Sequence, residues 1–217
     1  MKPLSLLKVN TKMRKIILHL CADIGSDSWF YDNHDEYEVI KVGKDIGVEN
    51  YHPPENVYGV IANPVCTEFS FAKYANNQGN GDVDSAMEMV NHCLRIIKQC
   101  NPVFWVIENP ATGRLKEFLG KPKLTYQPYE YGSAWTKKTA LWGEFNIPSK
   151  THTWESCDKL DIYTRPNRPK PSLAFLHKSA IHNIPEFHKF IPFVEDDMSL
   201  RSLCSQKFAE QFFNHNR

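Results

Sequence analysis

Two side chains that together could do covalent chemistry stand just past apolar runs. One is Cys66, in Asn63-Pro64-Val65-Cys66-Thr67-Glu68-Phe69-Ser70; the other is Glu108, in Glu108-Asn109-Pro110. A cysteine at a strand end, near a turn and backbone N–H groups, is expected to have a lowered thiol pKa, and its thiolate is a good nucleophile. A glutamate directly after five apolar residues is expected to be partly desolvated, which raises its pKa and lets it hold a proton near neutrality. A thiolate beside a carboxylic acid suits attack on an electron-poor ring whose nitrogen must be protonated. Taken singly, a cysteine is more often a small buried apolar residue, which is the reading for Cys93 and Cys100. The case for Cys66 and Glu108 is a joint one.

These residues need strands to place them. Ile16 to Cys21, Tyr37 to Val42 and Val57 to Ala62 are short apolar runs closed by turn residues, and Val103 to Ile107 is almost uninterrupted in apolar character. Such runs read as buried strands. Between the last two, residues 83–99 carry Val83, Met87, Val90, Leu94 and Ile97 at helical spacing, with Asn101-Pro102 as the stop. Residues 114–119 suggest a short helix capped by Gly120, Thr139 to Trp142 a late strand, and 204–214 a last helix with Phe208, Phe212 and Phe213 on one side. Strand, turn, strand, helix, strand argues for an α/β layered sheet. Functional groups in such sheets sit at the carboxyl ends of strands. If the third and fourth strands are parallel neighbours, the Cys66 and Glu108 loops meet over one crevice.

The 217 residues suit one domain or one with a small appendage. Lys and Arg number 26 against 25 Asp and Glu, a net charge of +1, so any nucleic-acid binding must come from local clustering. None of the six cysteines forms a C-x-x-C pair, so no zinc ribbon, and no metal, is expected. The N-terminus lacks a signal-peptide core, and no apolar run approaches the roughly 20 residues of a membrane span. The expected setting is a reducing cytoplasm.

The sequence resembles the C5-cytosine DNA methyltransferases, particularly the short versions of phage and prophage genomes. Cys66-Thr67-Glu68-Phe69-Ser70 resembles the nucleophile motif Pro-Cys-Gln-x-Phe-Ser, and Glu108-Asn109-Pro110 the Glu-Asn-Val motif. Leu20-Cys21-Ala22-Asp23-Ile24-Gly25-Ser26 resembles the Phe-Ala-Gly-x-Gly-Gly cofactor loop. Tyr131-Gly132 through Thr139 falls where the family has Tyr-Gly-x-Pro-Gln-x-Arg-x-Arg, and Arg201 to Phe213 loosely resembles a late Arg-x-x-Thr-Pro motif.

The resemblance implies a Rossmann-like methyltransferase sheet with helices on both faces and a small loop-rich C-terminal appendage. It implies a basic leader at 1–15, a catalytic domain at 16–147, a target-recognition region at 148–200, and a C-terminal helix at 201–217 packing back on the catalytic domain. It implies S-adenosylmethionine as cofactor and DNA as partner. The catalytic residues would be Cys66, Glu108, Asn109 and Lys137; the cofactor would lie against Cys21, Asp23, Ile24, Gly25, Ser26, Asn63 and Pro64.

The departures are specific. Gly43 stands where the family has an acidic residue gripping the cofactor ribose, which leaves Asp45 as the substitute. Val65 replaces the proline before the cysteine. Trp135, Lys137 and Thr139 stand at the Gln-x-Arg-x-Arg positions, without an arginine fork. In 148–200, Lys150, Lys159, Arg165, Arg168 and Lys170, with Trp154 and Tyr163, suit phosphate contacts and base stacking, as they would a solvated loop. Residues 76–81, Asn-Asn-Gln-Gly-Asn-Gly, read as a mobile lid or an idle loop. Two alternatives stay open: a related pyrimidine-modifying enzyme with another one-carbon donor, and a non-catalytic relative that binds DNA or a partner protein.

Overall fold

A computed structural model describes residues 13–69 and 82–217. Most of the expected leader, the lid residues 76–81 and Ser70 lie outside the described residues. Apolar runs of six residues build the first three strands: β1 (Lys15–Leu20), β2 (Tyr37–Val42) and β3 (Val57–Ala62). A short helix α1 (Trp29–Asp32), not foreseen from the sequence, separates β1 from β2. After β3 comes α2 (Val83–Cys100), then β4 (Phe104–Pro110), a one-turn helix α3 (Lys116–Leu119), β5 (Leu124–Tyr126) and β6 (Thr139–Glu144). The chain closes with α4 (Asp197–Ser202) and α5 (Gln206–His215).

The six strands form one sheet in the order β2-β1-β3-β4-β6-β5. The first four are parallel, and β6 runs antiparallel to both its neighbours. The chain leaves β1 for β2 on one side and returns to β3 on the other, so strand order reverses at β1. The ground outside the carboxyl ends of β1 and β3 is therefore the crevice where open α/β sheets place ligands.

Alternation along the strands sends side chains to two faces. Leu18, Leu20, Val60, Ala62, Ile107 and Trp142 pack with α2 on one; Ile17, Ile61, Val106 and Leu141 pack with α5 on the other. The fold is thus the expected α/β sheet covered on both faces.

Three details differ from the sequence reading. The buried side of α2 is Ala86, Val90, Cys93, Ile96 and Ile97, with Val83, Met87 and Leu94 on its margin. The small side chains of Ala86 and Cys93 let the helix lie closer to the sheet than the larger stripe would. β4 does not end at Ile107: Glu108, Asn109 and Pro110 stay on the strand because β6 pairs with them, Glu108 opposite Leu141 and Asn109 opposite Ala140. The proline-rich segment expected as loops holds three 3₁₀ helices, at Leu173–Phe175, Lys178–Asn183 and Pro185–Phe193. Its Leu173, Leu176, Ile181, Ile184, Phe187 and Phe190 form a third core with Trp135, Leu200 and Leu203, against which Ile24 and Trp29 pack.

Candidate functional site

β3 and β4 are parallel neighbours in register, Ala62 beside Ile107. The residues that follow each strand therefore emerge side by side. Asn63 comes first after β3, its backbone N–H donating to the Leu20 carbonyl of β1 at 3.1 Å. Its side-chain Nδ2 donates to Glu108 Oε2 at 3.4 Å. Asn109, fully buried, donates from Nδ2 to the Pro64 carbonyl at 3.1 Å, which fixes the backbone two residues ahead of Cys66. Its Oδ1 has no hydrogen-bond partner among the described residues. After Cys66 the chain turns through a 3₁₀ helix, Thr67–Phe69, and the buried Phe69 anchors it, its carbonyl accepting from the Arg114 N–H at 2.9 Å.

The electrostatics separate the two candidate catalytic groups. Burial raises the Glu108 carboxyl above the ordinary glutamate value; Lys137 and the Asn63 amide pull it down, and Asp27 and Asp23 push it up. That is the direction expected of a proton-holding acid. Cys66 corrects the sequence expectation of a lowered thiol. It is exposed at the site's surface, yet the protein around it desolvates the thiolate, and this together with the charge of Glu108 raises its pKa. Lys137 and the residue's own backbone N–H act the other way but do not prevail. Desolvation lowers Lys137, but Glu108, then Asp27, outweigh it, so the ammonium is held above the usual lysine value. Its Nζ donates to the Ser202 and Leu203 carbonyls at 3.0 and 3.2 Å. Cys66, Glu108 and Lys137 thus feel one another's charge, and all three come from different parts of the chain.

The loop after β1 holds the other expected residues. Cys21 leaves the strand with φ 53°, and Gly25 turns the chain at φ 82°. Asp23 is exposed, and its Oδ1 accepts from the Gly25 N–H at 3.4 Å. At the end of β2, a Cβ on Gly43 would lie 3.0 Å from Asp45 Oδ1 and 3.1 Å from the Ala22 carbonyl. A side chain at Gly43 would crowd the Asp45 carboxylate where it lies. An exposed carboxylate at the end of β2 facing a tight turn after β1 fits the hydroxyls of a nucleoside ribose.

Three expected cofactor contacts read differently. Ser26 is fully buried, and its hydroxyl accepts from the Cys204 N–H at 3.0 Å, so it clasps the C-terminal segment. Ile24 packs against the third core. Cys21 points its Sγ to within 3.7 Å of Cys93 Sγ.

The Gln-x-Arg-x-Arg stretch contributes only Lys137. Trp135 is buried in the third core and donates from Nε1 to Glu186 at 2.9 Å; Thr139 is buried with its hydroxyl on the Lys137 carbonyl. Among the basic residues of 148–170, Lys150 pairs with Glu130 at 2.7 Å, and Lys159 donates to the Trp154 and Cys157 carbonyls. Lys159 and Lys170 lie over the Trp154 ring at 4.4 and 5.3 Å, so ammonium groups cover the ring expected to stack bases. Arg168 and Tyr163 are exposed.

Sequence reading missed two site residues. His19 is fully buried near the carboxyl end of β1 and hydrogen-bonds Asn63 Oδ1 at 2.7 Å; a polar residue inside an apolar strand is the available signal. Asp27 raises Glu108 and lines with it a small cavity of about 20 Å³, the size of about one water. Nothing in its local sequence marks it.

Among the described residues, no cluster of three or more His, Cys, Asp or Glu side chains could hold a metal ion, and no helix is long and apolar enough to cross a membrane. No family model and no curated protein matches the chain. One solved structure similar to it is a "putative DNA modification methyltransferase encoded within prophage Cp" of E. coli. The similarity has a TM-score of 0.41 and 17% sequence identity, and covers 70% of this chain. The chain spans 56% of that protein's length.

Proposed function

We propose that the protein methylates C5 of cytosine in DNA, with S-adenosylmethionine as methyl donor and Cys66 as nucleophile. The observation that carries this reading is the electrostatic contact between Cys66, just after β3, and the burial-raised Glu108 on the neighbouring parallel strand β4, beside the cationic Lys137. An acid held above its ordinary pKa and a thiol within reach of its charge are what addition across a pyrimidine 5,6 bond requires.

The sulfur of Cys66, its proton lost, attacks C6 of the base. Glu108 donates a proton or hydrogen bond to N3, which takes the electron density of the opened 5,6 bond and makes C5 nucleophilic. C5 would then take the methyl group as the donor's S–CH3 bond breaks and S-adenosylhomocysteine leaves; loss of the C5 proton to solvent would expel Cys66 as Glu108 recovers its proton. Lys137 opposes the raised thiol pKa and stabilises the thiolate when it forms. Asn109 holds the Pro64 carbonyl and so the Cys66 backbone. Asp23, Gly25 and Asp45 would hold the cofactor, which supplies an electrophilic methyl group when bound. The base must leave its stack to reach Cys66, at a cost of a few kcal/mol that is least on single strands.

The test is transfer of radiolabelled methyl groups to cytosine-containing DNA, with mass analysis of the product base. Wild type is expected to give 5-methylcytosine; Cys66→Ala is expected to bind S-adenosylmethionine with unchanged affinity and to transfer nothing. Transfer retained in Cys66→Ala would overturn the covalent mechanism. A different modified base would move the reading to another pyrimidine chemistry.

A further inference from the structure

One line of hydrogen bonds crosses the protein beneath the site. Ser28 Oγ lies 2.9 Å from His19 Nδ1, His19 Nε2 lies 2.7 Å from Asn63 Oδ1, and Asn63 Nδ2 lies 3.4 Å from Glu108 Oε2. Ser28 and His19 are fully buried. The line joins four parts of the fold: the turn after β1, β1 itself, the chain leaving β3, and β4.

The sense of these bonds follows from the amide. If Asn63 Nδ2 donates to Glu108, its Oδ1 must accept, so His19 carries its proton on Nε2 and donates it. His19 Nδ1 then accepts from the Ser28 hydroxyl. Every polar atom along the line is used, as buried polar groups require. A buried histidine with both nitrogens engaged is held in one orientation, and so is the asparagine it grips. The Ser28 backbone N–H donates to the Gly25 carbonyl at 3.2 Å, so the line starts at the turn after β1.

We propose that His19 and Asn63 are positioning residues for the Glu108 carboxyl, and that Ser28 ties its orientation to the Gly25–Ser28 turn. The proposal rests on the reading of Glu108 as the acid of the reaction. It gives the site a means of coupling the loop that would hold the cofactor to the group that protonates the base.

The test pairs kinetics with a measurement that needs no turnover. His19→Phe keeps the ring volume and removes both bonds; His19→Gln keeps an amide that can still donate. His19→Phe is expected to lower kcat about 10- to 100-fold through a misplaced acid, with KM for DNA unchanged, and His19→Gln to recover most of the loss. The second readout is the titration of the Glu108 carboxyl followed by carbon NMR. Asn63→Ala removes a bond that favours the charged carboxylate, so its midpoint is expected to move upward, and His19→Phe is expected to move it the same way by less. The other groups facing Glu108, namely Cys66, Lys137, Asp27, Asp23, Tyr126 and Cys204, are unchanged in these variants. A Glu108 midpoint that stays put in Asn63→Ala and His19→Phe overturns the proposal, whether or not wild type transfers methyl groups. A shifted midpoint in a protein without transferase activity would leave the positioning role standing and remove the proposed function instead. Should His19→Phe not fold, Ser28→Ala and Asn63→Ala decide the same question.

Discussion

At the scale of single residues, the state of Cys66 is a contest between neighbours. Its exposure alone would make it an ordinary reactive thiol, yet desolvation and Glu108 raise its pKa while Lys137 opposes them. Thiolate, not thiol, is the nucleophile, so the charge of each neighbour should be legible in its alkylation rate. At pH 8, Cys66 is expected to react with iodoacetamide more slowly than free cysteine. Glu108→Gln removes a raising influence and should speed the reaction, by a margin that grows with pH as the wild-type carboxylate ionises. Lys137→Gln removes a lowering influence and should slow it. Peptide mapping by mass spectrometry gives the rate at Cys66 separately from the five other cysteines. Equal rates in the two variants would mean that neither charge reaches the sulfur. The sequence showed why a strand-end cysteine has N–H groups near it, and that influence is present; it could not show that Glu108, 42 positions later, faces the same sulfur.

At the scale of elements, α5 closes one face of the sheet. Phe208 stacks on Tyr126 with ring centroids 3.9 Å apart, and Phe212 packs against Phe104 and Phe145. Phe208 and Phe212 also wall the small cavity beneath Glu108. Burying a phenylalanine there is therefore both a stability and a site matter. Phe212→Ala is expected to cost about 3–5 kcal/mol, read as a lowered denaturant midpoint with an unchanged slope. Met87→Ala, on the margin of α2, should cost clearly less. A loss below about 1 kcal/mol at Phe212 would mean α5 is not an integral layer. How far these elements were legible follows from how local their causes are. The bounds of β2 and β3 and the start of α2 lie in runs and caps that a window of sequence contains; the Asp82 side chain accepts from the Ser85 N–H at 3.0 Å, as a helix start requires. Glu108 was misplaced into a loop because its partner strand β6 lies more than thirty residues on. The 3₁₀ turns of 173–193 escaped because prolines and polar residues mask a core that forms only when Trp135 and Leu203 arrive from elsewhere.

At the scale of the whole molecule, a net charge of +1 leaves little long-range attraction for a polyanion. Local cations must supply it, and the structure already engages several of them. Lys150 is paired with Glu130, Lys159 is bonded to carbonyl groups, and Lys137 is turned into the site. Among the cations of 148–170, that leaves Arg165, Arg168 and Lys170. Arg165 lies on the Phe175 ring at 3.7 Å and Lys170 between Tyr129 and Trp154, arrangements that leave outward donors on pre-ordered side chains. About three phosphate contacts give a slope of about −3 for log K against log salt concentration. Fluorescence anisotropy with a labelled duplex, titrated across potassium chloride concentrations, measures it. Arg168→Ala should make the slope shallower by about 1 and weaken binding to all sequences alike. A slope near −8 would require many more cations than this surface offers and would move the DNA to another face. With so few phosphate contacts, most of the affinity of a specific complex has to come from the flipped base and its pocket. Cys66→Ala, which keeps the pocket, should therefore bind a cytosine-containing single strand at salt concentrations where an abasic strand is released.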